Sequence, residues 1–456
     1  MAEQAASPEP LKVIQVCSVA PLHEPTLLPT SLPLTFFDLL WLRFPPVQRL
    51  FFYPFPHPTS SFLHSLLPSL KHSFSLTLQH FLPFAGTLTW PSHSPQPIIN
   101  YLPGDTVSFT VAESHQNFNH LSSHLCEASQ RHNLAPNLAN SHDKSSLLAV
   151  QVTLFPNAGF CIGITTHHAA FDGKSSTMFL KSWAYICSNL QNPTTPSLPQ
   201  HLTPFFDRSL IRDPSGIGEL YAESWKNKNG SNNRSLKVWE SLTEAPSDGL
   251  KGLFELTPSQ ILKLKQHGNS KMKGNVHLST FCVTCAYVLA CLVKVKQVKE
   301  ENVFFIFSID CRSRLDPPIP ATYFGNCVAG GSFVVLTKEL VEKDGFICAL
   351  EGIVETLNRV KEEGVLKGAE RFGAGMNKPR ETRFFSTAGS PLFEVYGIDF
   401  GWGRPKKVDM ISTDKTGAFS LSESRDISGG IEIGLVLSKA EMEDFSTLFV
   451  QGLDSL

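Results

Sequence analysis

The sequence predicts a mixed α/β protein made of two similar domains joined by a long connection. Three observations carry this expectation. The 456 residues exceed one ordinary core and suit two domains of about 200 residues each. Both halves show strands that run into helices with comparable start signals. Between them, the stretch 189–235 is rich in Pro, Ser and Asn, with PTTPSLPQHLTP and NKNGSNNRS, as a surface connection requires. The expected division is 1–188, a crossover over 189–235, and 236–456.

In the first half a helical pattern covers Ser65 to Phe81. SLLAVQVTLF then alternates apolar and polar residues, Pro156-Asn157-Ala158-Gly159 turns, and FCIGITTHH follows as a more continuously apolar strand. A second helical pattern spans Ser175 to Cys187. In the second half Phe254 to Leu256 leads into Thr257-Pro258-Ser259-Gln260, where a Thr N-cap, Pro at the first helical position and Gln three residues after the cap mark a helix start. Ser279 and Thr280 precede an apolar helix beginning near Phe281. VFFIFSID and SFVVL read as buried strands, and IEIGLVL meets a second capping box at Ser438-Lys439-Ala440-Glu441, followed by an amphipathic terminal helix.

Composition narrows the function classes. Hydrophobic residues make up 42% and charged residues 18%, with 34 Phe, which supplies large cores and an aromatic-lined pocket. A net charge of −2 offers no basic surplus for nucleic acid or an anionic membrane, so an anionic ligand must be held by local cations. Met1 to Pro10 is polar and does not resemble a secretory signal. The longest apolar span, Phe281 to Val293, has 13 residues, short of the ~20 that cross a bilayer. Ten cysteines are scattered, three of them (Cys282, Cys285, Cys291) in one helical pattern, and no second pair stands at ligand spacing. The expectation is reduced thiols in a cytoplasmic protein without a metal site.

Chemistry concentrates at Thr165-Thr166-His167-His168-Ala169-Ala170-Phe171-Asp172-Gly173, where a strand delivers His168 to its end and small residues leave it unshielded. An imidazole can accept a hydroxyl proton at neutral pH and return it later. Spacing alone serves a structural histidine as well as a catalytic one. Asp399-Phe400-Gly401-Trp402-Gly403 places two glycines around an aromatic residue, a tight turn whose carboxylate is expected to bind backbone donors or an arginine. Arg312 and Arg314, after a buried strand, are natural partners for Asp172 and Asp399, in either assignment.

Together HHAAFDG at 167–173, DFGWG at 399–403, LPLTFFDLLWLRFPPVQRLFFYPF, LQHFLPFAGTL, YFGNC at 323–327 and AGSPLFEVYG at 388–397 resemble the BAHD family of plant acyl-CoA-dependent acyltransferases over almost the whole chain. They are similar to the subgroup that acylates sugars of anthocyanins, flavonoids and phenolic glucosides. The resemblance implies two chloramphenicol-acetyltransferase-like domains with a central solvent channel, no tightly bound cofactor, an acyl-CoA co-substrate and a monomer. It implies that His168 is the general base, that Asp172 turns away to pair with an arginine, that Asp399 is structural, and that the Trp402 indole is a candidate oxyanion donor. Coenzyme A phosphates call for a helix N-terminus with basic neighbours, which Lys271 to Thr280 supplies. Ser279, Thr280 and Lys273 are the expected contacts, with Ser390 added on family grounds, although both hydroxyls before the helix also suit caps. FDGKSSTMFLKSW resembles members that use malonyl-CoA, whose free carboxylate needs a cation, and Lys174 is the nearest. The expected reaction is malonyl transfer to a flavonoid or isoflavone glucoside. The alternatives are a hydroxycinnamoyl donor on the same fold and an inactive phenolic-binding module.

Overall fold

The computed structural model describes residues 11–22, 29–191, 197–272, 277–342, 344–371 and 381–456. The first half contributes β1 (Lys12–Val19), β2 (Val47–Pro54), β3 (Val107–Glu113), β4 (Leu148–Phe155) and β5 (Gly159–Thr166), with helices α1 (Leu67–His80) and α2 (Gly173–Ser188). The second contributes β6 (Leu250–Leu256), β7 (Asn302–Asp310), β8 (Val328–Leu336), β9 (Thr382–Gly389), β10 (Phe419–Glu423) and β11 (Ile431–Leu437). The capping signals land where the sequence placed them: Thr257–Gln260 and Ser438–Glu441 both form reciprocal capping boxes.

The β4–β5 hairpin turns at Asn157, whose φ of 60° suits an Asn. The alternation in β4 predicted one wet face, yet both hairpin strands are buried along their whole length. The polar face is covered by the turn Ala128–Leu134: Gln151 Nε2 donates to the Asn133 carbonyl, and a Cβ at Gly163 would meet the Leu134 oxygen at 2.0 Å. On the other face, Phe74 of α1 and Trp183 of α2 pack at 4.8 Å. Trp183 Nε1 satisfies itself on the Leu70 carbonyl and Ser73 Oγ.

Each half finishes the other's sheet. The strand Lys407–Met410 pairs with β2 at the edge of the first sheet, whose order is β1-β3-β4-β5-β2 before it. In return Leu125–Glu127 pairs with β6 at the edge of the second, ordered β8-β7-β9-β10-β11-β6. A fully buried charge cluster locks the exchange. Arg131 meets Asp409 at 2.5 Å and Asp414 at 2.7 Å, and Lys251 of β6 meets Asp409 at 3.1 Å.

The crossover is not the plain surface loop the composition suggested. It carries the helix α3 (Ile217–Asn227), which buries Ile217, Tyr221 and Ala222, and Trp225 Nε1 donates to the Leu39 carbonyl at 2.7 Å. Turn-forming residues at both of its ends hid a short amphipathic helix. All ten cysteines are free thiols, eight of them buried. No helix among the described residues is long and apolar enough to cross a membrane.

Substituting Arg131→Met leaves two carboxylates buried without their main partner, and should lower the unfolding free energy by about 3–5 kcal/mol. Lys12→Met, which removes a long ion pair made by an exposed lysine, should change it by less than about 0.5 kcal/mol. Urea denaturation of the two variants checks the contrast.

Candidate active site

His168 stands just beyond the end of β5, half-buried, with its ring stacked flat on Trp41 at 4.1 Å and edge-on to Phe44 at 6.4 Å. Its neighbour His167 is fully buried and its Nδ1 accepts the Ala169 N–H. Burial pulls both imidazoles toward the neutral form: from 6.5 to about 3 for His167 and to about 4 for His168. For His168, its own backbone and Asp172 oppose the shift and Arg49 adds to it. The buried Nδ1 makes no hydrogen bond.

Asp172 does not face the imidazole. One oxygen caps α2 by accepting the Ser175 N–H at 2.9 Å. The other accepts the Cys327 N–H at 3.0 Å and pairs with Arg312 Nη2 at 2.9 Å. Burial works against the Arg312 charge, but Asp172 and Asp310 outweigh it and hold the guanidinium above its usual range. Arg312 also donates to the carbonyls of Tyr323 and Gly325. The YFGNC segment is therefore pinned between the two halves. From it, fully buried Asn326 donates to the His168 carbonyl and to Asp38, each at 3.0 Å. Asp38 in turn meets Arg208 of the crossover at 2.8 Å.

Of the two arginines, Arg312 meets Asp172, while Arg314 donates to the Asp310 carbonyl. Asp399 accepts the N–H groups of Gly401 and Gly403, at 2.8 and 2.9 Å, and so ties its own turn. Trp402 is not beside His168. Its ring packs on Phe160 and Phe400, and Phe160 opens the strand that His168 follows, so strand rise alone sets the two about 20 Å apart. An oxyanion at His168 is out of its reach, and the predicted donor role is corrected on that ground.

Lys174 is also engaged elsewhere, in a half-exposed ion pair with Asp310 at 3.2 Å. Ser279 caps the helix α5 (Thr280–Val295), which follows α4 (Pro258–Lys271), by accepting the Cys282 N–H. Ser279 and Thr280 both stay partly exposed, and the adjoining Phe281 packs on Phe307 of β7, the strand that runs on to Arg312. Lys273 lies outside the described residues. Ser390 caps the turn Pro391–Phe393, whose Phe393 ring abuts Gly173 of the histidine loop.

Sequence reasoning missed Asp38, Trp41, Arg49, Arg208 and Asn326. Charged residues inside otherwise apolar runs, such as Arg49 in VQRLFFYP, were the available signal. A half-buried histidine thus stands just beyond a strand end, on a loop whose Asp172 is held by an arginine from the opposite half. The chain belongs to the BAHD acyltransferases: the model described as "Transferase family" matches residues 14–451. The chain is 39% identical to phenolic glucoside malonyltransferase 1 of Arabidopsis thaliana, covering 98% of each. It is 40% identical to the malonyl-CoA:anthocyanidin 5-O-glucoside-6''-O-malonyltransferase of the same plant, over 97% of this chain and 98% of that one. The crystal structure of vinorine synthase matches in fold, with a TM-score of 0.68 at 21% identity, over 95% of this chain and 96% of that one.

Because His168 is neutral down to about pH 4, kcat/KM should hold its plateau from neutrality to about pH 5, where a solvent-exposed imidazole would already have lost most of its base form. Stability follows the same sign. Two histidines with depressed native values contribute stability that is full above 6.5 and is lost as pH falls towards 4 and then 3. A pH–rate profile and urea midpoints between pH 4 and 7 measure both.

Proposed function

We propose that this enzyme transfers the malonyl group of malonyl-CoA to the primary (6'') sugar hydroxyl of a flavonoid, isoflavone or other phenolic glucoside. The observation that carries the reading is the neutral, partly accessible imidazole of His168 stacked on Trp41. The aromatic row continues through Phe44 to Trp239 at 5.4 Å and Trp225 at 5.6 Å beyond, a shelf suited to a flat phenolic nucleus. The full-length similarity to two malonyltransferases of glucosides supports the donor and the acceptor class.

Transfer is direct, within a ternary complex in a channel between the halves. His168 accepts the proton of the sugar hydroxyl at Nε2 as the oxygen attacks the thioester carbonyl. The tetrahedral intermediate collapses, the C–S bond breaks, and the imidazolium returns the proton to the coenzyme A thiolate. Asp172 and Arg312 hold the loop and do not exchange protons. Ser279, Thr280 and Ser390 are assigned to coenzyme A together with Lys273, which lies outside the described residues; Ser279 keeps one lone pair for the role while capping its helix. The enzyme acts as a cytoplasmic monomer.

Replacing His168 by Ala should lower turnover at least ~100-fold with the melting temperature retained. Mass spectrometry of products from malonyl-CoA and mixed phenolic glucosides should show one malonyl unit added to the sugar. Transfer of coumaroyl in preference to malonyl would replace the donor reading, and coenzyme A release no faster than the hydrolytic blank would leave a binding module.

A further inference from the structure

Three carboxylates and four cations surround the histidine loop. Asp38 is met by Arg208, Asp172 by Arg312, and Asp310 by both Arg312 and Lys174. The fourth cation, Arg49, has no carboxylate within ion-pair distance among the described residues, although it is only 5% exposed. Its Nη1 donates to Thr177 Oγ1 at 2.8 Å, and its Nε is buried with no partner at all. A guanidinium held this dry without an anion is costly, and burial draws its proton affinity down to about 10 against the pull of Asp172.

Arg49 sits where an acyl group would need it. It pairs across from Ile164 in the β2–β5 ladder, and the next position on that face is Thr166, two residues before His168. Arg49 and Thr166 line one small cavity with Ser176, Phe84 and Phe179, roughly the size of a single water. The guanidinium also approaches the histidine loop: a Cβ on half-exposed Gly173 would lie 3.2 Å from Arg49 Nη2 and 2.8 Å from the Phe393 ring, over which the guanidinium carbon lies at 6.0 Å. One carboxylate oxygen matches this space and the charge of the guanidinium, whereas a hydroxycinnamoyl ring does not. In malonyl-CoA one methylene separates the carboxylate from the reacting carbonyl, so its counter-ion must lie close to the general base.

We propose that Arg49 is the donor-specificity residue, its guanidinium binding the free carboxylate of the malonyl group while the thioester carbonyl stands at His168. The assignment rests on the malonyl-CoA reading above. It replaces Lys174, whose charge is already shared with Asp310.

The test compares kcat/KM for malonyl-CoA and acetyl-CoA, which lacks the carboxylate, on one glucoside with the full-length enzyme. Arg49→Gln should lower the malonyl-to-acetyl ratio at least ~30-fold, chiefly through KM for malonyl-CoA, as loss of a buried charge partner does. Arg49→Lys, which keeps the charge, should recover part of that ratio. Thr177→Val, which frees the guanidinium without removing it, should lower it several-fold, and this pair carries the test if Arg49→Gln does not fold. Equal losses with both donors in Arg49→Gln, or an unchanged ratio in both Arg49→Lys and Thr177→Val, would make Arg49 a structural cation and overturn the assignment while a malonyl-preferring wild type keeps the donor reading. A wild type that transfers coumaroyl and not malonyl removes the donor reading, and the assignment falls with it.

Discussion

The contact between Asp172 and Arg312 is the constraint on which the site depends. Asp172 belongs to the loop that carries His168 and Arg312 to the end of β7 in the opposite half, so the histidine is set only when both halves are folded and docked. Burying such a pair is favourable only when the remaining donors and acceptors are also used. Here they are: the carboxylate takes two backbone N–H groups besides the guanidinium, and the guanidinium takes two carbonyls of the YFGNC segment besides the carboxylate. Asn326 then passes the constraint to the His168 main chain. Asp172 thus acts on the geometry of the loop.

The rest of the architecture keeps that contact from opening. Two half-proteins joined by one linker would be expected to hinge, since interfaces between domains of a chain resemble transient ones. This chain instead exchanges edge strands, so separating the halves would break two β-ladders and expose the cluster around Arg131 and Asp409. The crossover adds a strap, with Arg208 on Asp38 and Trp225 on the Leu39 carbonyl. The two halves are therefore held in one fixed arrangement around His168.

What the sequence made legible was local. Capping boxes, the β4–β5 hairpin and the strand leading into His168 are specified by residues within one turn or strand of each other, and they stand where the spacing puts them. The turn after Asp399 was expected to give its carboxylate backbone donors or an arginine, and the backbone donors of Gly401 and Gly403, within one turn, are what it binds. Roles that depend on distant partners were not legible. Arg312 and Arg314 are equivalent as text, and only the direction in which β7 ends separates them. Trp402 was drawn to the chemistry by its motif, while its ring is fixed at the far end of β5 by Phe160. Arg49 lay inside a run of aromatic strand residues, and that its charge has no buried counter-ion is a property of the folded environment alone.

The charge balance around the loop also bears on how a weak base does this work. An imidazole whose affinity for protons is depressed to about 4 is always available but takes a proton reluctantly. Burial is the larger cause, and the excess positive charge of Arg49 adds to it. Under the proposed assignment, an anionic acyl group settling against that guanidinium would cancel the repulsion on an incoming proton as it brought the carbonyl into place. His168 would then be more basic when a hydroxyl proton has to leave, and less so once the acyl carboxylate departs with the product. On this view an arginine without a carboxylate partner would couple recognition of the donor to the strength of the base, which a neutral acyl group could not do.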